Sequence, residues 1–290
     1  MLESITGLIT SVENATGIAA GDPALNTTFW IILAVLIGWA VLLGLAYLVL
    51  AIISCVRQKF PLTDLLSRSF ASFKALYKPM LKYYIPLMIL SFIVGIYNLL
   101  SNLLTLLADA MPNSNAISFI ILMVFLPFIL ASAIYTGVLD SSLAKSYYNS
   151  LKTRKFAFGW ISFGEFIKLL GVGILYSLML LASFFLLGIP LLFLPAISLF
   201  LRFPLLNEGK GIGETIGKSI DMLKKDFWNV FFFYFIYSLL VGFVSGLIQI
   251  VPVVGYVAVM VIIVPISTLL SAEAYYYLNK NYEKVAKKAR

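Results

Sequence analysis

The chain has 290 residues, of which 61% are hydrophobic and only 12% charged, whereas a soluble domain carries about 25% charged residues. Apolar runs long enough to cross a bilayer recur along the chain, so a soluble fold is excluded. The net charge of +8 comes from bases scattered among short loops. This pattern is typical of contact with anionic headgroups and not of nucleic-acid binding.

The chain contains one cysteine, Cys55, and no histidine. An internal disulfide is therefore impossible, and the commonest general base and nitrogen metal ligand are missing. We therefore predict no enzymatic activity, no cofactor and no metal site.

The N-terminal residues 1–27 contain no Lys or Arg and are predicted to form an exported tail. Two Asn-x-Thr sequons, at Asn14 and Asn26, are glycosylation acceptors only in a host that has this pathway. Residues 28–56 predict an additional first transmembrane helix, residues 57–280 a helical membrane domain of about six spans, and residues 281–290 a basic cytoplasmic tail.

The hydrophobic pattern predicts an all-α integral membrane protein with about seven transmembrane helices in the cell membrane. All 21 Lys and Arg residues can be placed on one side, which predicts an N-terminus outside and a C-terminus inside. The fifth span is short and contains Pro195 and Pro204; the alternative is that it enters the membrane and returns on the same side. The predicted spans are 28–55, 83–107, 117–138, 167–187, 191–206, 227–250 and 256–277.

An internal repeat aligns residues 62–78 with residues 212–228 without a gap. Each copy has an acid four residues before a base and apolar positions with a helical period, which predicts two amphipathic helices at the cytoplasmic headgroups. The alternative is that these helices only connect spans and shield the bundle. The candidate lipid- or partner-binding face comprises Arg68, Lys74, Lys78, Lys218, Lys224 and Lys225.

Charged residues of the spans lie near their cytoplasmic ends, at Asp140, Arg202 and Glu273. Because their depths are similar, they could pair in one cluster, either as an ion-pair clasp between helices or as a gating or substrate site.

A second candidate site is a polar patch near the outer ends of two spans. It comprises Asn98, Ser101 and Asn102 in the second span and Gln249 at the end of the sixth. Hydrogen bonds between helices would explain these residues, and the alternative is the lining of a polar cavity.

The stretch from Arg202 to Ser219 has an arginine at the end of a span, a short loop and a glycine-rich helix start. It continues through a basic helix into the aromatic re-entry Asp226-Phe227-Trp228. This pattern resembles the multi-pass membrane-domain family related to the membrane part of glycerophosphoryl diester phosphodiesterases, whose stand-alone members, bacterial and archaeal, have no known function. The resemblance covers residues 60–280. It implies no hydrolysis, because in the fused enzymes that activity belongs to a separate soluble domain with acidic metal ligands and histidines.

These observations predict a non-catalytic membrane protein that acts as a scaffold or accessory subunit. Its basic cytoplasmic face would engage anionic lipid headgroups or a partner, either another membrane protein or a second copy of the chain. The alternative is a transporter that moves a lipid or small amphiphile along a polar path between helices.

Overall fold

The computed structural model describes residues 23–58, 60–106, 114–186 and 189–288. Within these ranges every regular element is helical, which confirms the predicted all-α class. Most of the predicted exported tail, including Asn14, lies outside the described residues, whereas Asn26 belongs to the first helix. The chain divides into two compact units, Met1–Ile52 and Ile53–Arg290.

Six helices of the described part are long and apolar enough to cross a membrane, judged by length and composition. The described helices are α1 Pro23–Arg57, α2 Leu62–Leu106, α3 Ser114–Thr153, α4 Phe163–Phe185, α5 Leu194–Ser198, α6 Arg202–Glu208, α7 Ile212–Lys225, α8 Phe227–Gln249, α9 Val254–Ala258 and α10 Val264–Lys288. A 3₁₀ turn, Ile189–Leu192, precedes α5, and a π-helical segment, Val259–Ile263, joins α9 to α10.

Helix α2 joins two elements that the sequence pattern separates. Residues 62–78, predicted as an interfacial helix, and the predicted span 83–107 form one continuous helix of 45 residues that passes through Pro79 and Pro86. At 1.5 Å per residue this helix is about 68 Å long, more than twice the hydrocarbon thickness. Only the second copy of the repeat therefore contains a separate helix, α7, of 14 residues.

The fifth predicted span, residues 191–206, is divided among the 3₁₀ turn, α5 and α6. Prolines within it remove backbone donors and clash with the preceding turn, which explains the breaks. The segment starts beyond the end of α4 and reaches Asn207, whose side chain donates to the carbonyl of Lys145 at 3.1 Å. The Lys145 ammonium donates at 2.6 Å to the carboxylate of Glu165, which lies in the first turn of α4. The broken segment therefore returns to the end at which α4 begins.

Local signals set the ends of the elements around α6. Ser162 and Glu165 form a capping box at the start of α4, with the Ser162 amide 2.8 Å from the carboxylate. Helix α6 ends at Gly209, whose φ of 67° is a left-handed conformation that favours glycine. This turn places α6 and α7 side by side, with Glu208 facing the body of α7.

The core of the second unit surrounds α10, in which most of residues 267–279 are buried. Aromatic rings pack on this helix: the centroids of Phe203 and Tyr275 are 4.9 Å apart, and those of Tyr148 and Tyr275 are 5.5 Å apart. Many large apolar side chains on α2, α3 and α4 are exposed instead, as expected for surfaces that meet lipid. The buried part of α10 also contains a charged residue, Glu273.

Candidate functional site

An ion pair between α3 and α6 is the centre of the first candidate site. Asp140 accepts hydrogen bonds from the Arg202 guanidinium and from the Thr268 hydroxyl of α10. A second guanidinium nitrogen donates to Ser271 Oγ at 2.8 Å. Because the guanidinium presents its donors in a fixed planar fork, these contacts hold α3, α6 and α10 together at one point.

This ion pair faces a cavity of about 360 Å³. The Arg202 and Asp140 side chains are 18% and 24% exposed, so both reach the cavity without leaving the protein. A charged pair between apolar helices is a functional candidate by default. The other lining residues are Leu169, Val172, Gly173, Tyr176, Ser198, Leu199, Leu201, Tyr237 and Ser267.

Glu273 lies in a different environment from the other two charged residues. It is 4% exposed and accepts a hydrogen bond of 2.7 Å from the Tyr147 hydroxyl, which is also 2.8 Å from Ser72 Oγ. Ser271, the partner of Arg202, and Glu273 are two residues apart, which is about 200° around a helix. Glu273 therefore points away from the side of α10 that contacts Arg202.

Lys218 is held inside the protein rather than on the predicted basic face. Its ammonium is 2.6 Å from both Glu208 carboxylate oxygens, and the two side chains are only 10% and 17% exposed. The Tyr275 hydroxyl donates to the same carboxylate at 2.8 Å. The other five members of this face, Arg68, Lys74, Lys78, Lys224 and Lys225, are exposed.

Helix α2 contains four bases, and the three that belong to the predicted face share one side of it. At about 100° per residue, Arg68, Lys74 and Lys78 fall within a sector of about 120°. Leu65 and Met80, both buried, lie on the opposite side. We call these three residues the α2 basic face.

The polar patch predicted from the sequence is partly assembled as a pocket of about 290 Å³. Asn98 and Asn102, one helical turn apart on α2, line it together with Gln249 at the end of α8. Ser101 lies beside them on α2, where its carbonyl accepts a hydrogen bond from Thr105 at 2.9 Å. The remaining lining residues are Gly95, Leu99, Pro252, Val253 and Tyr256. We call this the amide pocket.

One wall of the amide pocket is a tight and strained turn. The Val254 amide donates to the Pro252 carbonyl at 2.6 Å, and Val253 between them has φ 63° and ψ −64°. This is the rare γ-turn with positive φ, and a β-branched residue there costs about 1–3 kcal/mol. A Cβ added to Gly95 would lie 2.8 Å from Val253 Cα, so glycine allows the two backbones to approach.

Sequence reasoning did not identify the hydroxyl partners of the charged residues. Two of these partners, Tyr147 and Tyr275, occupy the same position in a shared pattern, Ala-x-x-Tyr-Tyr, which is found at Ala144–Tyr148 and at Ala272–Tyr276. Each of the two tyrosines donates to a carboxylate. Asp140 and Thr268 each lie four residues before the alanine and contact each other. This Ala-x-x-Tyr-Tyr pattern was a signal available in the sequence. The partners that were missed are Tyr147, Glu208, Thr268, Ser271 and Tyr275.

Comparison of the chain with protein-family models, with curated proteins and with solved structures found no match. The described residues define an all-helical chain with six long apolar helices, which is compatible with a multi-pass membrane protein. Among these residues there is no group of three or more His, Cys, Asp or Glu side chains that could hold a metal ion. The resemblance to the phosphodiesterase-related membrane family stays a prediction from the motif between Arg202 and Ser219.

Proposed function

We propose that this protein is a non-catalytic scaffold or accessory subunit of the cell membrane that engages anionic lipid headgroups through the α2 basic face. The observation that carries this proposal is the exposure of Arg68, Lys74 and Lys78 on the side of α2 opposite its buried residues. Each base near an anionic surface is worth about 1 kcal/mol. Three bases on one rigid helix would therefore give a localised preference for anionic lipid.

An aromatic cluster next to the α2 basic face supports a position at the headgroups. The Tyr135 hydroxyl donates to the Tyr83 carbonyl at 2.7 Å, and the Trp160 and Tyr83 ring centroids are 5.5 Å apart. The ammonium of Lys82 lies 4.9 Å from the centroid of the Tyr83 ring. Tyr and Trp are enriched at membrane–water interfaces, and Lys78 is about 7.5 Å along α2 from Tyr83.

The proposed topology has seven crossings, with the N-terminus outside and the C-terminus inside. The six long helices supply six crossings, and the broken segment 189–208 supplies the seventh. The return of Asn207 to Lys145 supports this count, because the chain there lies at the same end of α4 as Glu165.

The test of headgroup binding uses the protein in nanodiscs of neutral lipid and measures its flotation with vesicles of phosphatidylglycerol. Changing Arg68, Lys74 and Lys78 together to Gln should weaken binding at least tenfold, since 1.4 kcal/mol corresponds to tenfold and three bases are lost. The matched control changes Lys152, Arg154 and Lys155 to Gln, which removes the same charge from another exposed segment. Equal weakening in both variants, or none in the first, would reject the α2 basic face as the binding surface.

A second candidate function is transport of a lipid or small amphiphile, and the amide pocket favours it. Asn98, Asn102 and Gln249 bring uncharged donors and acceptors together in one pocket, as a path for a polar group through apolar helices requires. Asn98→Leu or Asn102→Leu should abolish flux in reconstituted vesicles without changing the melting temperature. Ser101→Leu, on the same helix, is the matched control. Normal flux in both Asn variants would exclude this path.

A further inference from the structure

A larger, apolar cavity adjoins the one that contains the Asp140–Arg202 pair. It has a volume of about 540 Å³ and lies between α3 and α4. The two cavities share the lining residues Leu169 and Gly173, so the charged cavity adjoins the apolar one along the half nearer the start of α4. The other residues of the apolar cavity are Gly137, Ser141, Phe166, Leu170, Ile174, Ser177, Leu178 and Leu181. We call this apolar cavity the α3–α4 groove.

The α3–α4 groove is long, and small residues on both helices leave space in it: Gly137 and Ser141 on α3, and Gly173 and Ser177 on α4. On α4 it extends from Phe166 to Leu181, which is about 22 Å at 1.5 Å per residue. Small residues in membrane helices usually let helices pack closely. Here a Cβ added to Gly137 or Gly173 would meet no atom within 4 Å, so the small residues border open space instead. An extended acyl chain fits this shape and this apolar lining.

The lining of the smaller cavity has no net charge, because it contains one acid, Asp140, and one base, Arg202. A headgroup with a net charge would leave an unbalanced charge in an environment of low dielectric constant, which is costly. A zwitterionic headgroup avoids this cost, since its phosphate can face Arg202 and its ammonium can face Asp140. Tyr176 and Tyr237 line the same space and are the candidates for further contacts to phosphate oxygens, whereas the Ser198 hydroxyl donates to the Pro195 carbonyl at 2.7 Å.

We infer that the α3–α4 groove and the adjoining cavity form one binding site for a zwitterionic phospholipid, with an acyl chain in the groove and the headgroup at the Asp140–Arg202 pair. Thr268 and Ser271 of α10 also hold the Asp140–Arg202 pair in place. This inference rests on the proposed lipid-engaging function and adds a second lipid class, because the α2 basic face selects anionic lipid.

The experiment places the protein in nanodiscs with equal amounts of phosphatidylethanolamine and phosphatidylglycerol, and then measures retained lipid by native mass spectrometry. About one phosphatidylethanolamine per protein should survive removal of the bulk lipid. The double variant Gly173→Leu/Ser177→Leu fills the groove and should lower this retention at least tenfold. Gly242→Leu, at an exposed glycine of α8 with open space around it, is the matched control and should retain the lipid. Unchanged retention in the groove variant would overturn the inference.

The headgroup assignment has its own test with Asp140→Asn/Arg202→Gln, in which both charges are removed together so that neither is left unpaired. We expect this variant to lose its preference for phosphatidylethanolamine while a photoactivatable acyl chain still labels α4 between Phe166 and Leu181. Labelling of α4 between Phe166 and Leu181 by photoactivatable phosphatidylglycerol as strongly as by photoactivatable phosphatidylethanolamine would overturn the zwitterionic assignment. The change of Arg68, Lys74 and Lys78 to Gln should leave retention intact, so failure of the α2 basic face and failure of this site are distinguishable.

Discussion

Lys218 and Lys224 belong to the same helix and look alike in the sequence, yet their environments differ. Lys218 is enclosed with Glu208 under the ring of Tyr275, whose centroid is 5.8 Å from the ammonium. Lys224 lies in the last turn of α7 and is exposed, where a positive charge also complements the helix dipole. The first lysine therefore contributes to folding and the second to the surface.

We expect Lys218→Gln to lower the free energy of unfolding by about 3 kcal/mol, because it leaves the Glu208 carboxylate buried without its charge partner. Lys224→Gln should change it by less than about 0.5 kcal/mol. Denaturant unfolding in detergent measures both. The double variant Lys218→Gln/Glu208→Gln should recover part of the loss, and equal effects of the two single changes would contradict the enclosed ion pair.

Asp226, between α7 and α8, should make stability depend on pH. Burial raises the pKa of its carboxyl, and the Asn229 amide, donating at 2.8 Å, opposes this rise in part. The folded state therefore favours the protonated form. Its contribution to stability is fully present below the unfolded carboxyl pKa, about 4, and is lost as the pH rises through the raised folded pKa.

Asp226→Asn removes this titration while keeping an oxygen for Asn229. The stability of the variant relative to the unaltered protein should therefore increase between pH 4 and pH 7. Unfolding measured at both pH values gives the difference. A relative stability that falls over this range would show that the carboxylate is favoured by folding, contrary to the burial of Asp226.

At the scale of single residues, the sequence predicts how deep a side chain lies in the membrane but not the direction in which it points. The depth of Asp140, Arg202 and Glu273 along their spans can be estimated from the sequence, and this led to the expectation of one cluster. Their angular positions depend on how α3, α6 and α10 are rotated against each other. That rotation follows from packing, so the separation of Glu273 from the ion pair could not be predicted.

At the scale of elements, the prolines have unequal effects. Pro79 and Pro86 lie inside α2 without ending it, whereas Pro190, Pro195 and Pro204 accompany a segment of short helices. Helix α2 packs against α3 and α10, and these contacts compensate for two lost hydrogen bonds. In the fifth segment Pro190 lies in the 3₁₀ turn, and Pro195 and Pro204 lie in the first turns of α5 and α6, where a missing backbone donor is tolerated. Sequence patterns show the prolines but not the packing that compensates for them.

The turn between α8 and α9 should depend on a single glycine. A Cβ on Gly255 would lie 2.1 Å from the Ile248 carbonyl oxygen, a contact with rigid backbone. Gly255→Ala should therefore lower the free energy of unfolding by about 1–3 kcal/mol. Gly246→Ala, on α8 with open space around it, is the control and should be neutral or slightly stabilising. Equal melting temperatures for the two variants would contradict the close approach in this turn.

At the scale of the whole molecule, the long spans were predictable because each needs only length and hydrophobicity. The helical class is confirmed, and the six long apolar helices begin and end near the predicted spans, except that α2, α3 and α10 continue beyond them. The last of the six comprises α9, the π-helical segment and α10. The form of the fifth segment depends on contacts of α5 and α6 with the other helices, which composition does not encode.

Cysteine accessibility tests the proposed topology in a Cys55→Ala background, since Cys55 is itself exposed. Ser114→Cys and Leu186→Cys should react from outside with a maleimide that does not cross membranes. Lys210→Cys should react only after the membrane is permeabilised, because in the proposed topology segment 189–208 returns the chain to the cytoplasmic side. Labelling of positions 186 and 210 from the same side would show that this segment enters and returns without crossing.

Because α2 is one continuous helix, a tilt at one of its ends moves the other end. The α2 basic face and the amide pocket lie on one helix, and Lys78 and Asn102 are about 36 Å apart along its axis. A tilt of about 10° would move one end of a rod of that length by roughly 6 Å relative to the other. A change of membrane thickness or curvature that tilts α2 at the α2 basic face would thus displace the amide pocket at the other end of the helix. Bending of α2 at Pro79 and Pro86 would reduce this displacement.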